Sequence, residues 1–237
     1  EPRTRMNCIS GCRNRAALLP LSLLRRLVFF LLVAPVMACG GTSSESPDDV
    51  TPGVYEIIYR VSPEPAEAAI TVELELRQSR SLLRQVRFRA PENRFSGFSG
   101  DGEFERAGKT LNWSPPERGG KLRWQVSVPH RRNDNGYDAW LGETWGLFRA
   151  EDIIPSATTR TLKAAQSDTR LYFDLPSGWS VVTQYAEDDG EFRVSHDKRR
   201  FKQPKGWIVM GDLGVRRDVI AGVDVVVAGP VDNGVRR

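Results

Sequence analysis

From Val54 onward the chain alternates between apolar and polar residues. Over Ala69 to Arg77, Ile70, Val72, Leu74 and Leu76 fall on one side and Thr71, Glu73, Glu75 and Arg77 on the other. A period of two marks a strand with one buried and one wet face. Lys121 to Val128 repeats the pattern, with Leu122, Trp124, Val126 and Val128 inward, and Val86 and Phe88 alternate with Arg87 and Arg89. Val54 to Val61, Leu171 to Asp174, Trp179 to Tyr185, Trp207 to Met210 and Val223 to Ala228 read as further strands. Turn signals lie between them: Ser99-Gly100-Asp101-Gly102, Arg118-Gly119-Gly120, Asp188-Asp189-Gly190 and Asp232-Asn233-Gly234. After residue 40 no long helical stripe occurs, and Ser156 to Ser167 is the best helix candidate. Many short strands with turns between them predict an all-β fold, an antiparallel β-sandwich. The strands of a parallel α/β sheet would instead read as continuous apolar runs. No repeat of fixed period points to a propeller or solenoid.

The first 38 residues follow different rules. Met6 reads as the start, with Glu1 to Arg5 upstream of it. Arg13, Arg15, Arg25 and Arg26 precede a charge-free run of 12 residues, Leu27 to Ala38. A basic stretch, a short apolar segment and small residues at its end predict a secretory signal. As a helix the run covers about 18 Å, short of the roughly 30 Å of a bilayer core. Val36-Met37-Ala38-Cys39 resembles a bacterial lipobox, with cleavage between Ala38 and Cys39 and lipid attached to Cys39. The expected partner of that end is the membrane, through the lipid, and the expected location is the cell envelope, on the periplasmic or extracellular side. Such a chain is anchored to the bilayer and does not span it. Cys8 and Cys12 lie in the removed part, so no internal disulfide is expected in the mature chain.

Cleavage also changes the charge. Six of the 34 basic residues and one of the 30 acidic residues lie within 1–38, leaving 28 basic and 29 acidic, a net charge of −1. The mature chain therefore carries no excess of positive charge for nucleic acid. The basic run Lys198 to Lys202 is offset by Glu187, Asp188, Asp189, Glu191 and Asp197 and reads as a solvated hairpin end. The predicted organisation is a signal segment (1–38), an acylated cysteine with a flexible linker (39–53) and a β-sandwich (54–237), in one piece or as two packed subdomains.

Candidate chemistry is sparse. The two histidines, His130 and His196, are followed by Arg131 and Asp197, so neither begins H-E-x-x-H. With one cysteine left, a Cys/His structural zinc site is excluded. A two-histidine site with carboxylates would need the fold to join His130 to His196. There is no G-x-S-x-G elbow. Gly97 to Gly102 is glycine-rich but lacks the lysine and helix of a phosphate cradle. A glycosidase pair such as Glu143 with Asp152 is defined by its separation in space. No catalytic residue, metal ligand or cofactor is assigned within the chain.

Asn133 to Asp152 is the most unusual stretch. It packs Tyr137, Trp140, Trp145 and Phe148 among Gly136, Gly142 and Gly146. Aromatics in a glycine-punctuated loop offer large contact area with a polar handle. Tyr137, Trp140, Glu143 and Trp145 are the candidate substrate or partner contacts. The competing expectation is a loop folded back as a plug, with Trp145 and Phe148 in the core.

Several segments carry a resemblance: Gly146-Leu147-Phe148-Arg149; Leu171 to Trp179 (LYFDLPSGW), followed by Ser180 to Thr183; Gly206 to Gly214 (GWIVMGDLG); Val219 to Asp224; and Val227 to Pro230. Their order resembles the N-terminal β domain of glycyl-aminopeptidase-like zinc metallopeptidases, within the gluzincin group. The resemblance implies a β-sandwich flanking a thermolysin-like catalytic domain, which would hold the zinc, its His and Glu ligands and the general base. None of those positions exists in this sequence, so zinc is expected only with a downstream catalytic domain, and the chain reads as the N-terminal part of a longer protein. The functional expectation is a non-catalytic, substrate-facing domain of an exported, lipid-anchored zinc aminopeptidase-like protein, with a C-terminal catalytic domain and a peptide as partners. The alternative is a stand-alone envelope lipoprotein whose sandwich binds a protein, peptide or glycan.

Overall fold

A computed structural model describes residues 53–133, 136–195 and 199–231, and the side chains of 132, 133, 136 and 137 lie outside that description. The expectations for Ala38, Cys39, the signal segment, most of the linker and His196 also fall outside the described residues. In chain order the strands are β1 (Val54–Glu64), β2 (Ala69–Arg77), β3 (Leu83–Arg89), β4 (Phe95–Gly100), β5 (Glu103–Ala107) and β6 (Thr110–Ser114). There follow β7 (Gly119–Ser127), β8 (His130–Asn133), β9 (Gly136–Leu141), β10 (Trp145–Arg149), one helical turn α1 (Ala150–Ile153), β11 (Ala157–Thr161) and β12 (Gln166–Phe173). The last are β13 (Ser180–Thr183), β14 (Glu187–Asp188), β15 (Glu191–Arg193), β16 (Trp207–Gly211), β17 (Leu213–Ile220) and β18 (Val223–Pro230).

These strands form four sheets among the described residues: seven strands in the order β14-β15-β12-β1-β2-β7-β4, five in the order β13-β16-β10-β9-β8, four in the order β11-β3-β6-β5, and the hairpin β17-β18. The alternation read from the sequence sets the inward face of the large sheet. Ile70, Val72, Leu74 and Leu76 of β2 and Leu122, Trp124 and Val126 of β7 are all buried, and Val72 lies opposite Trp124 in the register. Their cluster continues into Val86, Phe88, Leu111 and Trp113 of the four-stranded sheet and Leu141, Phe148, Ile208 and Met210 of the five-stranded sheet. The centroids of Phe88 and Trp124 lie 6.0 Å apart, tilted at 44°. Trp113 meets its polar need by donating Nε1–H to the carbonyl of Asp101 at 2.8 Å. Burial pushes the phenol pKa values of Tyr55 and Tyr59 on β1 upward, which keeps both rings neutral.

The all-β sandwich is as expected, and one expectation needs correction. Ser156 to Ser167 is not a helix: it holds β11 and the start of β12. Thr158, Thr159 and Thr161 are β-branched and favour a strand, and β11 extends the edge of β3, with Thr159 opposite Val86. Within the sandwich one strand pair of the large sheet departs from the antiparallel pattern: β1 and β12 run parallel, Val54 to Val61 against Gln166 to Phe173. A parallel pair needs a long crossover, and here everything from β2 to β11 intervenes.

The wet face of the seven-stranded sheet is a lattice of charge. Arg60 lies opposite Glu73, and Glu73 opposite Arg123. Lys121 reaches Glu73 at 2.8 Å, Arg77 reaches Glu75 at 2.6 Å, and Arg170 lies 3.4 Å from both Asp168 and Glu191. Lys121–Glu73 and Arg170–Glu191 join neighbouring strands, while Arg77–Glu75 and Arg170–Asp168 join residues two apart on one strand, as expected where one face of a sheet meets water.

Candidate functional site

The outward face of the five-stranded sheet is built differently. Residues of one parity on β9, β10 and β16 point into the core: Ala139 and Leu141, Phe148, Ile208 and Met210 are buried. The other parity therefore points out, and it consists of Asp138 and Trp140 on β9, Trp145, Leu147 and Arg149 on β10, and Trp207 and Val209 on β16. The register aligns them, with Leu147 between Trp140 and Val209, and Arg149 opposite Trp207. Trp207 is 54 % exposed and Leu147 39 %. Asp138, Trp140, Trp145, Leu147 and Trp207 line one depression of about 330 Å³.

Local backbone features hold these rings in place. Gly136 to Asp152 is not a loop plug but the hairpin β9–β10 running into α1, closed by the Gly142 amide donating to the Trp145 carbonyl at 2.9 Å. The Trp140 indole lies against Gly142, where a Cβ would stand 3.2 Å from its Nε1. Trp145 packs over Gly211, whose φ is +139° and where a Cβ would stand 2.5 Å from the Trp145 Cα. Only glycine supplies both that conformation and that closeness. The start of β16 is tied to α1: the Ala150 amide donates to the Gly206 carbonyl at 2.8 Å, and the Gly206 amide donates to Glu151 Oε2 at 2.9 Å.

Charge at the rim is specific. The Arg149 guanidinium sits 5.7 Å from the centroid of the Trp207 ring and 3.3 Å from Asp152 Oδ2. That hydrogen-bonded carboxylate holds the Arg149 pKa above its ordinary value. Asp152 is buried, accepts the Arg149 amide at 2.9 Å and lies 3.5 Å from Arg94. It is committed to these partners, so it is not a free carboxylate for a glycosidase pair with Glu143. Asp138, at the mouth of the depression, faces His130 Nδ1 at 3.6 Å, too long for a hydrogen bond.

Of the residues singled out by sequence, Trp140 and Trp145 are brought together here. Glu143 is exposed in the β9–β10 turn and does not line the depression. Tyr137 is placed in β9, and its side chain lies outside the described residues. The expectation that Trp145 and Phe148 share a core role is half right. They stand three positions apart on one strand and so face opposite sides; Phe148 is buried, while Trp145 faces out. Sequence reading missed Asp138, Leu147 and Trp207 as site residues. The available signal was parity: Trp145, Leu147 and Arg149 alternate with Gly146 and Phe148, and Trp207 and Val209 with Ile208 and Met210.

Among the described residues, no group of three or more His, Cys, Asp and Glu is placed to hold a metal. His130 and Asp138 make at most two ligands, whereas a catalytic zinc takes three from the protein. The described residues around His130 therefore do not make a zinc centre. A larger cleft, about 620 Å³, lies between the segment after β13 and the hairpin β17–β18. Its walls carry Glu187, Asp189, Arg217, Asp218 and Asp224, and none of the candidate contacts Tyr137, Trp140, Glu143 and Trp145.

No protein-family model matches the sequence, and no curated protein matches it. Solved structures do match its fold. An aminopeptidase N family protein from Idiomarina loihiensis superposes with a TM-score of 0.55 at 14 % identity, over 73 % of this chain and 32 % of that one. An M1 zinc metallopeptidase from Deinococcus radiodurans gives a TM-score of 0.38 at 13 % identity, over 74 % of this chain and 46 % of that one. Leukotriene A4 hydrolase from Saccharomyces cerevisiae gives 0.37 at 13 % identity, over 74 % and 31 %. The described β-sandwich thus shares its fold with about a third of the Idiomarina loihiensis aminopeptidase N family protein. The chain spans about a third of the length of the first of these proteins.

Proposed function

We propose that this chain is the N-terminal, non-catalytic β domain of an exported, lipid-anchored zinc aminopeptidase-like protein, and that it presents the outward face of the five-stranded sheet to peptide or to the catalytic domain. The observation that carries the reading is the fold likeness, which takes in most of this chain but only a third of the aminopeptidase N family protein. The metal chemistry of such an enzyme would reside in the other part. Lipid attachment at Cys39 is supported by the lipobox-like Val36 to Cys39 and the glycine- and serine-rich stretch after it.

The test is to read the gene beyond the codon for Arg237 and to assay its whole product. The expected result is an open frame containing H-E-x-x-H with a downstream Glu, and aminopeptidase activity that a chelator removes. A stop codon at that point would overturn the reading. One observation favours a second function in that event: the Trp-rich outward face would suit a stand-alone envelope lipoprotein that binds a protein, peptide or glycan.

A further inference from the structure

We infer that the depression lined by Trp140, Trp145, Leu147, Trp207 and Asp138 binds an organic cation with an apolar stem, of the class of a lysine or arginine side chain on a peptide. The first ground is the contrast between the two outward faces. The seven-stranded sheet meets water with paired charges, as a one-sided sheet should. The five-stranded sheet meets it with three indoles, a leucine and a valine beside one acid, Asp138, and one base, Arg149, and Leu147 and Trp207 are more than a third exposed. A face of that kind marks a binding surface.

The chemistry of the lining selects the ligand. An indole presents the negative face of its quadrupole to whatever stacks on it, and Trp is the strongest aromatic partner for a cation. Trp207 already shows this, since it takes the Arg149 guanidinium at 5.7 Å, while the charge of Arg149 is held by Asp152 at 3.3 Å. Among the described residues Asp138 is the one carboxylate of the lining; it stands 3.6 Å from His130 Nδ1, too long for a hydrogen bond, and acts on Arg149 through space. Electron-rich rings with one carboxylate attract a cation and repel an anion. The leucine and the ring edges accommodate the methylene stem that lysine and arginine carry behind their charge. The depression, about 330 Å³, is of the size that accepts one such side chain. This inference does not depend on the peptidase reading, because it concerns binding by this chain alone.

The experiment uses the full 237-residue chain in non-ionic detergent, labelled with 5-fluorotryptophan and titrated with N-acetyl-arginine amide, N-acetyl-lysine amide and the uncharged N-acetyl-norleucine amide. The expected result is saturable movement of the fluorine resonances of Trp140, Trp145 and Trp207 by both cations, with norleucine at least about ten-fold weaker. Asp138→Asn weakens both cations about five-fold and leaves norleucine unchanged. Gly142→Ala, which pushes on the Trp140 ring, weakens all three ligands, and its thermal transition, followed alongside, reports any loss of fold. Equal binding of norleucine and the cations would overturn the inference and mark an apolar docking face. No resonance movement with any ligand, or an Asp138→Asn variant as tight as the parent, would overturn it as well.

Discussion

The indole nitrogen of Trp124 donates a hydrogen bond to the backbone carbonyl of Ile153 at 3.0 Å. Trp124 stands on β7 of the large sheet and Ile153 closes α1, directly after β10 of the five-stranded sheet. The contact therefore joins the sheet with the charged face to the sheet with the aromatic one. Trp124 is buried, also against Phe88 and Phe98, each with its centroid 6.0 Å away.

Trp124→Ala is expected to destabilise the domain by about 3–5 kcal/mol, as large-to-small changes in a packed core do. Trp124→Phe keeps most of the volume but leaves the Ile153 carbonyl unpaired, at a cost of about 1–3 kcal/mol. Urea denaturation of the two variants separates the packing contribution from the hydrogen bond. A loss below about 1 kcal/mol for Trp124→Ala would contradict its placement in the core.

Gly211→Ala tests the floor beneath the aromatic face. With φ at +139° and a Cβ placed 2.4 Å from the Thr144 carbonyl oxygen, the variant must shift β16 against β10. The expected cost exceeds about 1 kcal/mol, accompanied by a change in the Trp145 signal in near-ultraviolet circular dichroism. An unchanged spectrum and melting curve would show that Trp145 does not rest on this glycine.

Acid should weaken the domain partly through Glu64. Its carboxyl is held below the ordinary value of 4.5, first by the hydroxyl of Thr71 and further by Gln125, while burial opposes them. A carboxyl depressed in the folded state contributes stability above its unfolded pKa and loses it as pH falls through the folded one. Thr71→Val removes the leading cause, so the Glu64 titration followed by carbon NMR should move up toward 4.5. A titration that stays in place in that variant would assign the depression to another group.

The proposed anchor has a direct check. Cys39→Ser should abolish incorporation of labelled fatty acid and release the protein from the membrane fraction. Continued incorporation, or unchanged fractionation, would remove Cys39 as the lipidation site.

Much of the core was legible because alternation is a local property. Ile70 to Leu76 and Leu122 to Val128 announce their inward residues within each strand, through the two-residue period of the pleat, and all of them are buried. The Asp188-Asp189-Gly190 turn was legible for a similar reason: it joins β14 to β15 through residues that tolerate left-handed backbone. The segment around Thr158 was misread because its weak pattern is completed only by pairing with β3. The parallel partnership of β1 and β12 was invisible, since register between distant strands leaves no local mark.

The sequence by itself determined that the chain after residue 53 makes strands with one apolar parity and that Trp140 and Trp145 belong to an unusual aromatic segment. It also raised the expectation of an export signal at the N-terminus, from composition and order alone. Only the tertiary structure decided which parity of β10 faces water, because both parities there are apolar and the choice depends on what the other sheets cover. It alone placed Trp207 beside Arg149, some sixty positions away, through the pairing of β10 with β16. A binding face assembled from three strands is a product of register, and register is set by the packing of the whole sandwich.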